Sequence, residues 1–179
     1  MSTKALFLDR DGVINVDYGY VHHKSNFEFL EGIFDLTRLA LHKYYKIIIV
    51  TNQSGIGRGL YSEEIFLKLN AWMCECFQKE GVTIDRVYYC ASHPSSGIGI
   101  YKKKDFRRKP EPGMLIEARK EFNINMEDSV LIGDKMTDIQ AGARAGIGRL
   151  LFLNNKIKEM HSNNLYTQIS NLNNAMIYL

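Results

Sequence analysis

Two aspartates flanking one arginine, Asp9-Arg10-Asp11, close the apolar run at residues 5–8 and precede Gly12. A carboxylate fixed at the end of a strand can attack phosphorus and become transiently esterified, which splits one hard substitution into two easier ones. The ester oxygen leaves poorly unless it is protonated. Asp11, two residues on, is placed to give that proton and later to take one from water. Gly12 lets the chain turn sharply there. Taken alone, D-x-D at a strand end also serves as a turn or cap.

Three further segments give the pair its meaning: VTNQS (50–54), RKPEPG (108–113) and LIGDKMTD (131–138). Asp134 follows the apolar run 130–132 and is expected to join Asp9 and the Asp11 backbone carbonyl around Mg²⁺, which prefers hard oxygen ligands. A cation there offsets the repulsion between a carboxylate and a phosphate dianion. Asp138, one helical turn further, is expected to orient Lys135 or cap a helix rather than bind metal. Thr51 supplies a strand-end hydroxyl beside free N–H groups, a natural anion site. Lys109 brings a positive charge to the phosphoryl oxygens, and Pro110 and Pro112 hold it at a helix start. Singly, GDKMTD reads as a capped strand-to-helix turn and KPEP as a helix entry.

The elements that must position these residues alternate. Short apolar runs at 5–9, 46–50, 86–90, 130–133 and 149–153 lack in/out alternation, the pattern of strands buried on both faces of a parallel sheet. Helical spacing appears in Ile33, Leu36, Leu39, Ala40 and Tyr44, and again in Ile65, Leu69, Trp72, Met73 and Phe77 after an N-cap at Ser62. Further helices are expected over 113–122 and over 137–145, the latter stopped by Gly146, with a weaker one after Asn164. The expected fold is α/β, a three-layer, doubly wound, mainly parallel Rossmann-like sheet. Ligands bind at the carboxyl ends of such strands, where Asp9, Thr51 and Asp134 all fall.

The chain of 179 residues reads as one domain, 1–179, with 45% hydrophobic residues and a formal charge of +3. That charge does not suggest nucleic acid. No run is long enough to span a membrane, the first residues lack a signal-peptide pattern, and three cysteines form no disulfide framework. A cytoplasmic protein with neither membrane nor nucleic-acid partner is expected, with a monomer as the default.

With DRDGVIN, TNQSGIGRG, RKPEPGM and GDKMTD in view, the chain resembles the haloacid dehalogenase superfamily of phosphatases. It is most similar to the branch holding D-glycero-D-manno-heptose 1,7-bisphosphate phosphatase and the histidinol-phosphatase domain. The resemblance spans about residues 4–153. It implies Asp9 as nucleophile, Asp11 as acid/base, Thr51 and Lys109 as phosphoryl stabilisers, and Asp9, Asp11 and Asp134 as Mg²⁺ ligands. It places Asp17, Tyr18, Gly19, Tyr20, Asn52, Gln53, Ser54, Arg108 and Lys135 against a small phosphorylated sugar.

The stretches between Asp9, Thr51 and Lys109 are filled by a flap, helices, one strand and the loop 91–108, which leaves no room for a cap domain. Arg58, Lys102–Lys104, Arg107 and Arg108 are candidates for a second substrate phosphate, with the lysine run read as a solvated cluster. Many relatives carry a structural zinc on a Cys-x-His and a Cys-x-Cys pair. Here Ser92, Asp105 and Arg107 stand at three of those positions, so structural zinc is expected to be absent. His22 and His23 in the flap read as locally bonded rather than catalytic. The expected activity is removal of the 7-phosphate of the heptose bisphosphate, in nucleotide-heptose synthesis for a surface glycan. Histidinol-phosphate phosphatase, nucleic-acid 3′-phosphatase and a non-catalytic phosphate-binding module are the rivals.

Overall fold

The computed structural model describes residues 3–156 and 161–179. Seven strands form one sheet: β1 (Lys4–Leu8), β2 (Tyr45–Asn52), β3 (Arg86–Cys90), β4 (Val130–Gly133), β5 (Arg149–Leu153), β6 (His161–Ser162) and β7 (Thr167–Ile169). Their order is β3-β2-β1-β4-β5-β7-β6, with every pair parallel except the terminal β6–β7 pair. The order reverses direction at β1, which has β2 on one side and β4 on the other. That reversal opens the crevice in which doubly wound sheets bind ligands, and Asp9 stands at its mouth.

The continuous apolar runs are explained by two cores. Leu6, Leu8, Ile47, Ile49, Val130 and Ile132 point to one face, where α1 (Ile33–His42) and α3 (Glu63–Lys79) bring Ile33, Leu36, Leu69, Met73 and Phe77. Ala5, Phe7, Ile48, Val50 and Leu131 point to the other, against Met114, Leu115, Ala118, Ile139 and Ala141 of α4 (Gly113–Phe122) and α5 (Met136–Ala145). Truncating a residue such as Phe7, fully buried, costs about 3–5 kcal/mol in cores of this kind. The sheet is thus a stiff platform for its own rim.

The local signals act as expected at most ends. The Ser62 hydroxyl accepts the Ile65 N–H at 3.2 Å at the start of α3. Gly146 ends α5 in the left-handed region at φ 80°. A one-turn helix, α2 (Ser54–Gly57), follows β2. The weak helix expected after Asn164 is not what forms there. Thr167–Ile169 adds a strand beside β5, and Leu172–Tyr178 is a 3₁₀ helix whose Leu172 and Ala175 close the first core. The β-branched Thr and Ile suit a strand better than a helix. No helix among the described residues is long and apolar enough to cross a membrane.

Candidate active site

Asp9 follows the last residue of β1, Thr51 and Asn52 end β2, and Asp134 follows β4. Lys109 arrives from the loop ahead of α4. Its buried Nζ lies 2.9 Å from Asp9 Oδ1 and 2.5 Å from Asp138 Oδ1, and donates to the Val50 carbonyl at 2.7 Å. Three acceptors match its three hydrogens. Burial opposes the Lys109 charge most strongly, yet Asp138 and Asp9 outweigh it and its pKa moves up. Burial also dominates at Asp9; Lys109 works against it, Asp138 adds to it, and the net shift is upward. The carboxylate of Asp9 is therefore crowded and poorly hydrated, a condition that a counter-ion or a bond to phosphorus relieves.

Asp134 shows the same crowding. Burial, then the neighbouring Asp9, push its pKa up to about 7 against the pull of Lys135. Its Oδ1 is buried without a hydrogen-bond partner. Ligand atoms of Asp9, Asp134 and Asp138 lie within 4.8 Å of one another. Asp138, however, is already used: Oδ1 meets Lys109, and Oδ2 accepts the Lys135 N–H at 3.0 Å at the start of α5. Asp9 and Asp134 are the acids left with an oxygen to offer, a hard donor set that fits Mg²⁺. Gly12 makes the approach possible. At φ +93° it favours glycine, and a Cβ there would stand 2.2 Å from Asp134 Oδ2.

The Asp11 carboxylate lies outside that acid cluster. It is held by Arg10 Nη2 at 2.9 Å to each oxygen, by Asn15 Nδ2 at 3.1 Å and by Gln53 Nε2 at 3.0 Å. Gln53 also donates to Thr51 Oγ1 at 2.9 Å and accepts from the Tyr61 hydroxyl at 2.7 Å. Both ends of the Asn52 amide go to the Lys109 backbone, at 3.0 and 3.1 Å. Asn52 thereby pins the lysine loop to the end of β2, and its side-chain amide has those partners already. Ser54 begins α2.

The flap crosses this rim. Asp17 Oδ2 accepts from Lys135 Nζ at 3.0 Å, and Asp17 Oδ1 accepts the Gly19 N–H at 3.0 Å. Burial raises the Asp17 pKa, but the Lys135 bond and charge reverse the sign and the net shift is downward. Tyr18 is exposed and donates to Glu28 Oε2 at 2.5 Å. Tyr20 is partly exposed, with the Arg58 guanidinium 5.7 Å from its ring centre. His22 bonds the Tyr20 carbonyl oxygen at 2.6 Å and stacks on Tyr61 at 4.7 Å, a local role.

Loop 91–108 is braced on two sides. Ile98 N donates to the Gly57 carbonyl at 2.8 Å, and Ser92 Oγ donates to Asp105 Oδ2 at 2.8 Å. Arg108 Nη1 donates to the Ser92 carbonyl at 3.1 Å, which sets its guanidinium beside the site. Arg107, a candidate for phosphate, is instead spent on Glu117 at 3.1 Å. Lys102, Lys103 and Lys104 are solvent-exposed. Cys90 is a free, buried cysteine, and Ser92 and Asp105 hydrogen-bond to each other. Sequence reasoning missed Arg10, Asn15 and Tyr61. An arginine between two acids at the end of an apolar run was the signal available for Arg10; Asn15 and Tyr61 offered none.

Residues 106–168 match the haloacid dehalogenase (HAD) hydrolase-like family model. The chain is 52% identical over 153 residues to the D-glycero-alpha-D-manno-heptose-1,7-bisphosphate 7-phosphatase of Burkholderia mallei, covering 86% of this chain and 81% of that one. It is 50% identical over 148 residues to the corresponding beta-anomer 7-phosphatase of Vibrio cholerae, covering 83% and 80%. The chain belongs to the heptose 1,7-bisphosphate 7-phosphatase family. Among solved structures, a HAD-like protein from Mesorhizobium loti superposes with a TM-score of 0.89 at 33% identity over 99% of this chain and 86% of that one. The D,D-heptose 1,7-bisphosphate phosphatase of B. bronchiseptica, complexed with magnesium and phosphate, superposes with a TM-score of 0.82 at 22% identity, covering 98% and 97%. The family's fold is therefore this sheet, with its order reversing at β1.

Proposed function

We propose that this chain is a Mg²⁺-dependent phosphatase that removes the 7-phosphate of D-glycero-D-manno-heptose 1,7-bisphosphate through an aspartyl-phosphate. The observation that carries the reading is the desolvated Asp9 carboxylate, 2.9 Å from the buried Lys109 ammonium and beside Asp134, whose pKa burial and Asp9 push up to about 7. Asp9 attacks phosphorus; Lys109 and the Thr51 hydroxyl steady the phosphoryl oxygens. Asp11 protonates the leaving sugar oxygen and then takes a proton from the water that hydrolyses the intermediate. Asp9, Asp134 and the Asp11 carbonyl are the groups that would hold Mg²⁺, which supplies charge neutralisation when bound.

Asp17, Tyr18, Gly19, Tyr20, Gln53, Ser54, Arg108 and Lys135 are assigned to the sugar and its second phosphate, and Asn52 to placing Lys109. We read the chain as one capless domain, a cytoplasmic monomer without structural zinc, serving nucleotide-heptose synthesis. The names of its relatives carry the substrate. A phosphate-release screen tests it, using both heptose bisphosphate anomers, histidinol phosphate and a 3′-phosphorylated oligonucleotide. The reading expects one of the heptose anomers to give the highest kcat/KM; a higher value for histidinol phosphate or the oligonucleotide overturns it.

A further inference from the structure

Arg10 is the largest fully buried side chain among the described residues. A guanidinium costs a great deal to bury unless something needs it there. The turn it belongs to does not. That turn is closed by the Arg10 backbone carbonyl, which accepts from Val13, Ile14 and Asn15 at 3.3, 2.8 and 3.1 Å, a service any residue at position 10 provides.

One nitrogen of the side chain is occupied elsewhere, while Nε and Nη1 are buried without a hydrogen-bond partner. Nη2 lies 2.9 Å from both Asp11 oxygens and 2.7 Å from the Val21 carbonyl in the flap. The guanidinium lies 5.6 Å from the centre of the Phe66 ring. Asn15 and Gln53 each reach a single Asp11 oxygen. The two amides anchor opposite oxygens, Asn15 at Oδ1 and Gln53 at Oδ2, and Arg10 adds a full charge that meets both oxygens while donating to the Val21 carbonyl.

We infer that Arg10 is a positioning residue whose charge holds the Asp11 carboxyl in place for proton transfer to the leaving sugar oxygen. The inference rests on the acid role given to Asp11 above. In that step the phosphorus–ester oxygen bond breaks as the Asp9 oxygen–phosphorus bond forms. The leaving oxygen receives the Asp11 proton, and Asp11 is left as a carboxylate. A misaligned Asp11 therefore harms alkyl phosphates, whose alkoxide needs the proton, and spares aryl phosphates, whose phenolate leaves without one.

The experiment follows leaving-group release in a single turnover, which reports bond cleavage alone, for wild type, Arg10→Met, Arg10→Lys and Asp11→Asn. The substrates are heptose bisphosphate and p-nitrophenyl phosphate. Methionine fills much of the arginine's volume but leaves Asp11 without its cation, a change that lowers stability. Arg10→Met is expected to lose about 30-fold on the sugar phosphate and less than about 3-fold on the aryl phosphate, at a KM within about 2-fold. Arg10→Lys keeps the charge without the planar fork and is expected to lose about 5-fold, again on the sugar phosphate alone. It decides the matter should Arg10→Met not fold. Equal losses on both substrates, or no loss on the sugar phosphate, while Asp11→Asn remains selective, overturn the role of Arg10. An unselective Asp11→Asn overturns the acid assignment itself, and the inference falls with it.

Discussion

The reacting rim and the recognising loops are held by different physics. Lys109 is buried, has three partners and is wedged between two acids that would repel each other without it. Arg108, its neighbour in sequence, is half-buried and holds one backbone carbonyl. The flap is tied down by the exposed Lys135–Asp17 pair, loop 91–108 by Ser92 and Asp105. Chemistry at phosphorus needs groups that do not reorganise, so that part stands on β1, β2 and β4. The flap and loop 91–108, to which sugar recognition is assigned above, hang partly on exposed and half-buried contacts instead.

That contrast predicts opposite signatures for neighbouring residues. Lys109→Met strands Asp9 and Asp138 without their cation, and urea unfolding should show a loss of about 3–5 kcal/mol. A loss under about 1 kcal/mol breaks the comparison. Asp134→Asn should act in the other direction when magnesium is removed with EDTA. Folding raises the Asp134 pKa from 3.8 to about 7. The folded state therefore holds a proton that the unfolded chain releases, and stability falls as pH climbs through that window. At pH 8 the penalty is complete, and the asparagine variant should be more stable than wild type by about 2 kcal/mol after allowing for solvent screening. At pH 5 most of that gain should vanish; an equal gain at both values contradicts the assigned crowding.

Arg108→Met should leave unfolding within about 0.5 kcal/mol of wild type while raising KM for the bisphosphate by about 10-fold or more. A large stability loss there would move Arg108 into the rim. Ser92→Ala is the smallest change. It removes one hydrogen bond to Asp105, costs about 1 kcal/mol at most, and should raise KM a few-fold with kcat unchanged. A kcat effect would mean that the loop brace reaches the reacting groups.

Much of the rim was legible in the sequence because its positions carry strong local signals. Asp9, Asp134 and Thr51 end apolar runs, Gly12 marks a turn, and two prolines announce the helix after Lys109. The contacts between distant elements were not legible. That Asp138 serves Lys109, or that Asn52 grips the lysine backbone, depends on how segments 29 and 57 residues apart come to rest side by side. The C-terminal strand was missed for a related reason. Thr167–Ile169 is only three residues long, too short to read as a strand alone, and becomes one because it pairs along β5.

The central claim is that the Asp9 carboxylate becomes bonded to phosphorus during turnover. Quenching the enzyme in acid during steady-state hydrolysis, reducing with borohydride and mapping peptides tests it directly, since an acyl phosphate is reduced to an alcohol and a free carboxylate is not. The account predicts homoserine at position 9 in substrate-treated enzyme and none in the untreated control. Homoserine at another aspartate, or an unmodified position 9 alongside normal turnover by Asp9→Ala, would contradict it.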